Sequence, residues 1–269
     1  MFRVLKGVGG ERAFNAATIS ALVLLAVFFG GIVVSMVAYT DWDTFVSALF
    51  SEEILFAIRL SVTTATVAAV ISILVAIPVA YTISRTSFPG KDIVDSLLDL
   101  PIVISPIALG AALLVFFNTP IGAPIDDNVV KFVFAVPGII LAQITVISAL
   151  AVRLLKSTFD SIDPRYEQVA RTLGCSKPEA FLRVTMPLAK DGLIAAGILT
   201  WARAVGEFGA TVTLAGATAL KTETLPAAIF LSLASANVEK AIAVIFVLVI
   251  IAVVALLVIR KLIGRRYQI

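Results

Sequence analysis

Long apolar stretches alternate with short polar ones along this chain. About 20 apolar residues in succession are enough to cross the roughly 30 Å hydrocarbon core of a bilayer as a helix. Several stretches have about that length, so the pattern predicts an all-α, polytopic membrane protein with about six transmembrane helices. The six predicted spans are residues 16–39, 60–84, 100–117, 132–152, 192–220 and 241–259.

Two of these spans are irregular. Residues 100–117 contain Pro101 and Pro106, which we expect to bend the third span or make it partly re-entrant. Residues 192–220 contain Arg203 and Glu207, whose spacing places them on one face of a continuous helix. Ionisable side chains at membrane depth usually face a bundle interior or a wet cavity and pair with one another. Two interpretations stay open: the pair fixes helix packing, or it contacts a passing anion.

The composition agrees with a bilayer environment and excludes several kinds of site. Hydrophobic residues make up 60% and charged residues 14% of the chain, whereas soluble domains have about 45–50% and 25%. The chain has no histidine and one cysteine, Cys175, which argues against metal sites, Ser-His-Asp triads and disulfides. It also has no glycine-rich phosphate-binding run, so any ATP must be bound by another subunit. We therefore expect no cofactor and no enzymatic activity in this chain.

Lysine and arginine are distributed unequally among the polar segments, while acidic residues gather in the remaining ones. The positive-inside rule then predicts cytoplasmic termini and a cytoplasmic loop between the fourth and fifth spans, in a multi-pass protein of the cell membrane. This distribution explains the net charge of +3 better than nucleic-acid binding does. The cationic carboxyl tail suits anionic lipid headgroups. The cations assigned to the cytoplasmic side are Arg3, Lys6, Arg12, Arg85, Lys91, Arg153, Lys156, Arg165, Arg171, Lys177, Arg183, Lys190, Arg260, Lys261, Arg265 and Arg266.

The loop of residues 156–190, here called the basic loop, contains two sets of helix signals. Asp163 is a suitable N-cap before a helix over residues 164–173, which can end at Gly174 in the left-handed conformation. Ser176 and Glu179 then have the spacing of a capping box for a second helix. We expect that helix to stop before Pro187. Such a loop can simply solvate a turn, or it can receive a partner.

The order of residues in the basic loop is similar to a family motif. Residues 167–174 read EQVARTLG, nine residues follow, and residues 184–187 read VTMP. The pattern resembles the permease subunits of ATP-binding-cassette importers, which carry an E-A-A run, a glycine, nine residues and I-x-L-P. Gln168 stands where the family most often has glutamate, and Val169 replaces the first alanine. The resemblance implies that residues 176–184 dock into a groove on a separate ATPase, with Ala180, Phe181 and Val184 as apolar contacts. The residues it assigns to ATPase coupling are Glu167, Gln168, Ala170, Gly174, Ser176, Glu179, Ala180, Phe181, Val184 and Pro187.

A second resemblance lies in the fifth span. Residues 202–211 read ARAVGEFGAT, followed by Gly216 and by TETLPAAIF at residues 222–230. This run resembles the molybdate/tungstate permeases, and the likeness extends over about residues 55–260. Sulfate permeases share much of it, commonly with tyrosine in place of Phe208, so sulfate or another oxyanion is the alternative solute.

The resemblance implies a single transmembrane domain over residues 1–269 that works as a homodimer. Two ATPase subunits, which bind ATP and Mg²⁺, and an extracytoplasmic oxyanion-binding protein are the other expected partners, besides membrane lipid. A stand-alone channel or secondary carrier is the alternative of a different class. The absence of inverted sequence halves argues against the carrier. Hydroxyl groups of the fifth span either line the translocation path or bond their own helix carbonyls. The residues considered for the path or for helix pairing are Thr200, Arg203, Glu207, Thr211 and Thr213.

Overall fold

The computed structural model describes residues 8–39 and 41–264. Internal contacts divide the chain into two compact units, residues 1–47 and 48–269. The first contains α1 (Val8–Tyr39) and most of α2 (Trp42–Leu49). Four of the cations used to predict orientation, Arg3, Lys6, Arg265 and Arg266, lie outside the described residues.

The second unit begins with α3 (Glu52–Arg85), whose buried face consists largely of small residues, among them Ala57, Ala65, Ala68, Ala76 and Ala80. These side chains recur every three or four residues, so they form one stripe on the helix. Small side chains allow neighbouring membrane helices to approach closely. The stripe packs against α7, described below.

The predicted third span is bent. It consists of α4 (Lys91–Val103) and α5 (Pro106–Phe117), whose axes meet at 109°. The bend falls at Ser105, because a residue that precedes proline disfavours the helical conformation. Ser105 has an extended backbone, and its hydroxyl accepts a hydrogen bond from the Ala108 N–H at 3.3 Å. The predicted bend is confirmed, although the helical segment begins earlier than residue 100.

After α6 (Gly122–Asn128), α7 runs over Val136–Asp160, which is shifted toward the carboxyl terminus from the predicted residues 132–152. Its start is delayed because the Asp126 carboxylate accepts hydrogen bonds from the N–H groups of Phe132 (2.7 Å) and Val133 (2.9 Å). Just beyond the predicted end, Arg153 pairs with Asp95 and Asp99 on α4.

The basic loop contains α8 (Arg165–Thr172), α9 (Lys177–Ala180), a π-helical turn (Phe181–Thr185) and α10 (Met186–Leu188). The left-handed Gly174 (φ 97°) and the capping box of Ser176 and Glu179 are confirmed. The predicted stop before Pro187 is wrong. In the wide turn the Met186 N–H donates to the Phe181 carbonyl, five residues back, and wide turns of this kind accommodate a proline without ending the helix.

The predicted fifth span is two helices, α11 (Lys190–Val205) and α12 (Gly209–Ala215), set at 55° to each other. The helix breaks at residues 206–208, so the single helix predicted over residues 192–220 is wrong. Glu207 lies in the break and does not share a helix with Arg203. The chain continues through α13 (Leu225–Ala234) and ends in α14 (Val238–Gly264).

Among the described residues, four helices are by themselves long and apolar enough to cross a membrane, and there are up to six spans if each bent pair counts as one. The four are α1, α3, α7 and α14. The prediction of an all-α protein with about six spans is therefore confirmed, and residues 8–39 and 41–264 contain no strand. Together α3, α7 and α11 form the centre of the second unit.

Candidate functional site

The basic loop is fastened to the end of α3 through one carboxylate. Glu167 on α8 accepts hydrogen bonds from the Tyr81 hydroxyl (2.7 Å), the Arg85 Nε (3.1 Å) and the Thr185 hydroxyl (2.7 Å). Arg85 also donates through Nη2 to the Ile162 carbonyl at 2.8 Å. We call Tyr81, Arg85, Glu167 and Thr185 the Glu167 clamp.

The clamp favours the ionised form of its carboxyl group. Burial by itself raises the pKa of Glu167, but the hydrogen bonds from Tyr81, Thr185 and Arg85 outweigh it, and the pKa lies below its ordinary value. The Arg85 and Glu167 side chains are only 9% and 12% exposed. The clamp is thus a largely desolvated, charge-assisted contact, which is stronger than an ion pair on an open surface.

Aromatic packing supports the clamp from behind. The Tyr81 ring lies 4.6 Å from that of Phe181 and 5.8 Å from that of Phe159, measured between centroids. Ala180 beside them is 1% exposed. Ala180 and Phe181, which the resemblance assigns as apolar contacts for the ATPase, are buried and half-buried against this chain, and their role toward a partner stays a prediction. Phe181 at the start of the π-helical turn packs against the ends of α3 and α7, and Ala180 at the end of α9 directly precedes it. Val184 is half-buried.

A different set of apolar side chains in the basic loop is exposed. Tyr166, Val169 and Leu173 are 58%, 57% and 81% exposed on α8 and at its end, and Leu182 is 63% exposed on the π-helical turn. We call these four residues the apolar strip. Sequence reasoning missed this strip, although apolar residues at positions i, i+3 and i+7 of an otherwise polar helix signal a common face. Gln168 beside them is also exposed.

The cations of the basic loop, with Arg153 just before it, fall into two groups. Arg153, Lys156 and Arg183 form ion pairs with carboxylates of this chain. The others form no ion pair with any residue in the described ranges 8–39 and 41–264, and all are exposed. The basic loop consequently carries unneutralised positive charge. These cations are Arg165, Arg171, Lys177 and Lys190.

The second candidate region is the break between α11 and α12. Arg203 Nη1 lies 2.8 Å from Glu207 Oε2, so the predicted pairing is confirmed across the break. The Glu207 side chain is 1% exposed and that of Arg203 is 40% exposed. Gln143, which no sequence motif singles out, donates through Nε2 to the Ala204 carbonyl at 3.0 Å and ties α7 to the same region.

The three threonines of this region differ. The Thr213 hydroxyl donates to the Gly209 carbonyl at 2.7 Å, within its own helix. Thr200 and Thr211 are 0% and 1% exposed, and their hydroxyl oxygens have no hydrogen-bond partner among the described residues. In this single chain they are enclosed by protein. Within the described residues, no three Asp, Glu or Cys side chains gather as a metal site.

The described residues form an all-α unit with up to six candidate membrane spans and a helical basic loop fastened to its core. A family model identifies the class of protein to which this unit belongs. Residues 72–268 match the family model described as binding-protein-dependent transport system inner membrane component. The chain belongs to this family and is a permease subunit of an ATP-binding-cassette transporter.

Several named permeases are similar to this chain. A probable molybdenum ABC transporter permease of Haloferax volcanii is 38% identical, over 79% of this chain and 77% of the relative. The molybdate/tungstate transport system permease WtpB of Thermococcus kodakarensis is 36% identical, over 65% and 67%. A sulfate transport system permease, CysW of Synechococcus elongatus, is 34% identical over 68% and 64%. In fold, the chain matches a chain of a bacterial alginate ABC transporter with a TM-score of 0.77 at 18% identity, covering 99% of both chains.

Proposed function

We propose that this permease imports molybdate and tungstate, driven by a separate ATPase that docks on the basic loop. The observation that carries the proposal is the apolar strip: four large apolar side chains, exposed among unpaired cations, on helices fastened to the core of the permease. An exposed apolar patch rimmed by polar residues marks an interaction site. The solute follows from the relatives named for molybdenum, molybdate and tungstate.

The ATPase supplies the ATP-binding site, for which this chain has no sequence motif. Its partner surface would cover Leu173 and Leu182, and burying a leucine contributes about 1.5–3 kcal/mol. ATP and Mg²⁺ are bound by that partner, and this chain itself binds no cofactor and catalyses no reaction. The residues assigned to coupling act in two ways under this proposal. Gly174 and the capping box of Ser176 and Glu179 shape residues 176–184, here called the docking segment. Glu167 fastens this segment to the rest of the permease.

A second copy of the chain completes the path. Arg203 lies in the last turn of α11, the first half of the bent fifth span, and remains 40% exposed although it is paired. Charged side chains at that depth face a bundle interior or a wet cavity and not lipid. Two copies facing each other would enclose such a cavity between them. The Arg203 guanidinium then borders the oxyanion path, while Glu207 reduces its net charge so that a dianion is passed on and not held.

We propose that the basic loop and both termini lie in the cytoplasm, and the excess of lysine and arginine on that side supports this orientation. The opposite face then receives an extracytoplasmic oxyanion-binding protein. On that face Asp126 holds a turn, and its pKa lies below its ordinary value: burial opposes this shift, but the hydrogen bonds from Lys131, Val133 and Phe132 outweigh it.

Uptake into proteoliposomes tests the proposal. The chain is reconstituted with its ATPase and loaded binding protein, and uptake of molybdate, tungstate and sulfate is measured with and without ATP. ATP-dependent uptake of molybdate and tungstate, with little sulfate uptake, supports the proposal. Preferential sulfate uptake favours the solute of the CysW-like relatives. Substantial flux through the chain alone, without ATP, indicates a channel or secondary carrier and contradicts the proposal.

A further inference from the structure

We infer that Glu167 is a positioning residue that couples the basic loop to α3, so that movement of a docked ATPase reaches α3 directly as well as α11. The inference rests on the proposed function, because it presumes an ATPase that moves the apolar strip. It goes further by assigning the route along which that movement enters the membrane.

The chain itself provides one route. From α9 the backbone continues through the π-helical turn and α10 into α11 without a long non-helical linker. Rotation of the docking segment therefore acts on α11 through covalent connection. No such connection joins the segment to the end of α3, whose Tyr81 and Arg85 precede Glu167 by 86 and 82 positions.

The Glu167 clamp provides the second route. Tyr81 and Arg85 lie in the last turns of α3, and both donate to the carboxylate of Glu167. Thr185, in the π-helical turn, donates to the same carboxylate. One side chain, that of Glu167, thus holds both the π-helical turn that leads to α11 and the end of α3.

Opposite sides of α8 carry residues of the apolar strip, which would contact the ATPase, and Glu167, which contacts α3. The strip residues Tyr166, Val169 and Leu173 are exposed, whereas the side chain of Glu167 is 12% exposed and contacts the end of α3. A short helix moves as a rigid body, so a displacement applied at the strip is delivered to Glu167.

The clamp is strong enough for this role. Two of its contacts are short hydrogen bonds of 2.7 Å to a carboxylate. Arg85 is also held by the Ile162 carbonyl just beyond the end of α7. Beside it, the Ser84 hydroxyl donates to Asp160 at 2.6 Å, a second link between α3 and α7. Removing only the Glu167 charge leaves Arg85 largely buried without its counter-ion.

The test separates coupling from folding. Proteoliposomes contain the permease, its ATPase and the binding protein, and ATP hydrolysis and molybdate uptake are measured on the same sample. For Glu167→Gln we expect normal assembly with the ATPase and continued ATP hydrolysis, with molybdate taken up per ATP lowered about tenfold. Tyr81→Phe and Thr185→Val each remove one donor and should lower that ratio less. Glu52→Gln, at the other end of α3, is the matched control and should leave it unchanged.

A merely structural role gives a different result. If Glu167 only stabilises the fold, Glu167→Gln lowers ATP hydrolysis and uptake together, in proportion to the complex assembled, and the ratio stays at the wild-type value. That result overturns the inference. Failure of the proposed function is recognised separately, because the wild-type complex then shows no ATP-dependent uptake at all, and the inference falls with it.

A distance measurement checks the same point without transport. Spin labels are placed on the native Cys175 and on Thr82→Cys, an exposed position at the end of α3, in the assembled complex. With the clamp intact, we expect the same narrow distance distribution with and without ATP, and a broader distribution in Glu167→Gln. A wild-type distance that changes with ATP shows that α3 does not follow the loop and overturns the inference.

Discussion

Arg203 and Glu207 form an ion pair across a break in the fifth span, with 2.8 Å between Nη1 and Oε2. The second carboxylate oxygen of Glu207 accepts a hydrogen bond from the Ala210 N–H at 3.1 Å, in the first turn of α12. Glu207 therefore stabilises both sides of the break: the arginine at the end of α11 and an otherwise unpaired N–H at the start of α12. Sequence spacing predicts the pairing but not this double role.

Replacing Glu207 should destabilise the protein more than replacing Arg203. Glu207→Ala leaves a cation without its partner and the Ala210 N–H without an acceptor in a buried site, at a cost of about 1–3 kcal/mol. Arg203 is 40% exposed, so Arg203→Ala should cost less. Thermal unfolding in detergent measures both. A larger loss for Arg203→Ala would show that the carboxylate is not the centre of this contact.

Gly174 should be required for its backbone conformation and not for space. Its φ is 97°, and a Cβ added at this position would meet no atom within 4 Å. Gly174→Ala should therefore destabilise the turn by about 1–2 kcal/mol and lower uptake per ATP hydrolysed. Gly197→Ala is the matched control, since its Cβ also has free space but its helical backbone suits alanine. Equal uptake by the two variants would contradict the role of the turn.

The apolar strip should matter for binding the ATPase and not for folding. Because Leu182 is 63% exposed in this chain, Leu182→Ala should leave the thermal midpoint unchanged. It should weaken ATPase binding by about 1–2 kcal/mol, the contribution of the apolar groups lost from a partly buried contact. Binding of purified ATPase to the permease in detergent measures the change. Leu257→Ala, 57% exposed on α14, is the control, and an equal loss there would show a nonspecific effect.

Acid should release the basic loop. The pKa of Glu167 in the folded protein lies below the ordinary value of 4.5, so folding favours its ionised form. Its contribution to stability is therefore fully present above pH 4.5 and is lost as the pH falls through the lowered value. Limited proteolysis of the loop across pH 3–6 (about the range of carboxyl titration) should show increasing cleavage at the acid end. Glu167→Gln should be cleaved more readily above pH 4.5 and show less dependence on pH.

Local signals predicted the basic loop well. The capping box and the turn at Gly174 depend on residues within a few positions of one another, so a short stretch of sequence is enough to predict them. The Pro187 stop failed because a five-residue wide turn admitted the proline, and no single residue signals such a turn.

Long-range contacts explain what the sequence could not provide. Tyr81 and Arg85 reach Glu167 across 86 and 82 positions, and no pattern within one helix indicates such a meeting. The inward direction of Ala180 and Phe181 follows from the same packing. The motif resemblance singles out the loop but does not indicate that Tyr166, Val169 and Leu173 are among its exposed apolar side chains.

The most direct test of the account is the initial rate of molybdate uptake by proteoliposomes that contain the permease, its ATPase and the binding protein, compared with and without ATP. We expect uptake only with ATP, and its loss when Leu173 and Leu182 are both replaced by aspartate, although the permease remains inserted. Uptake that persists without ATP, or that survives the double replacement, would contradict an importer driven through the basic loop.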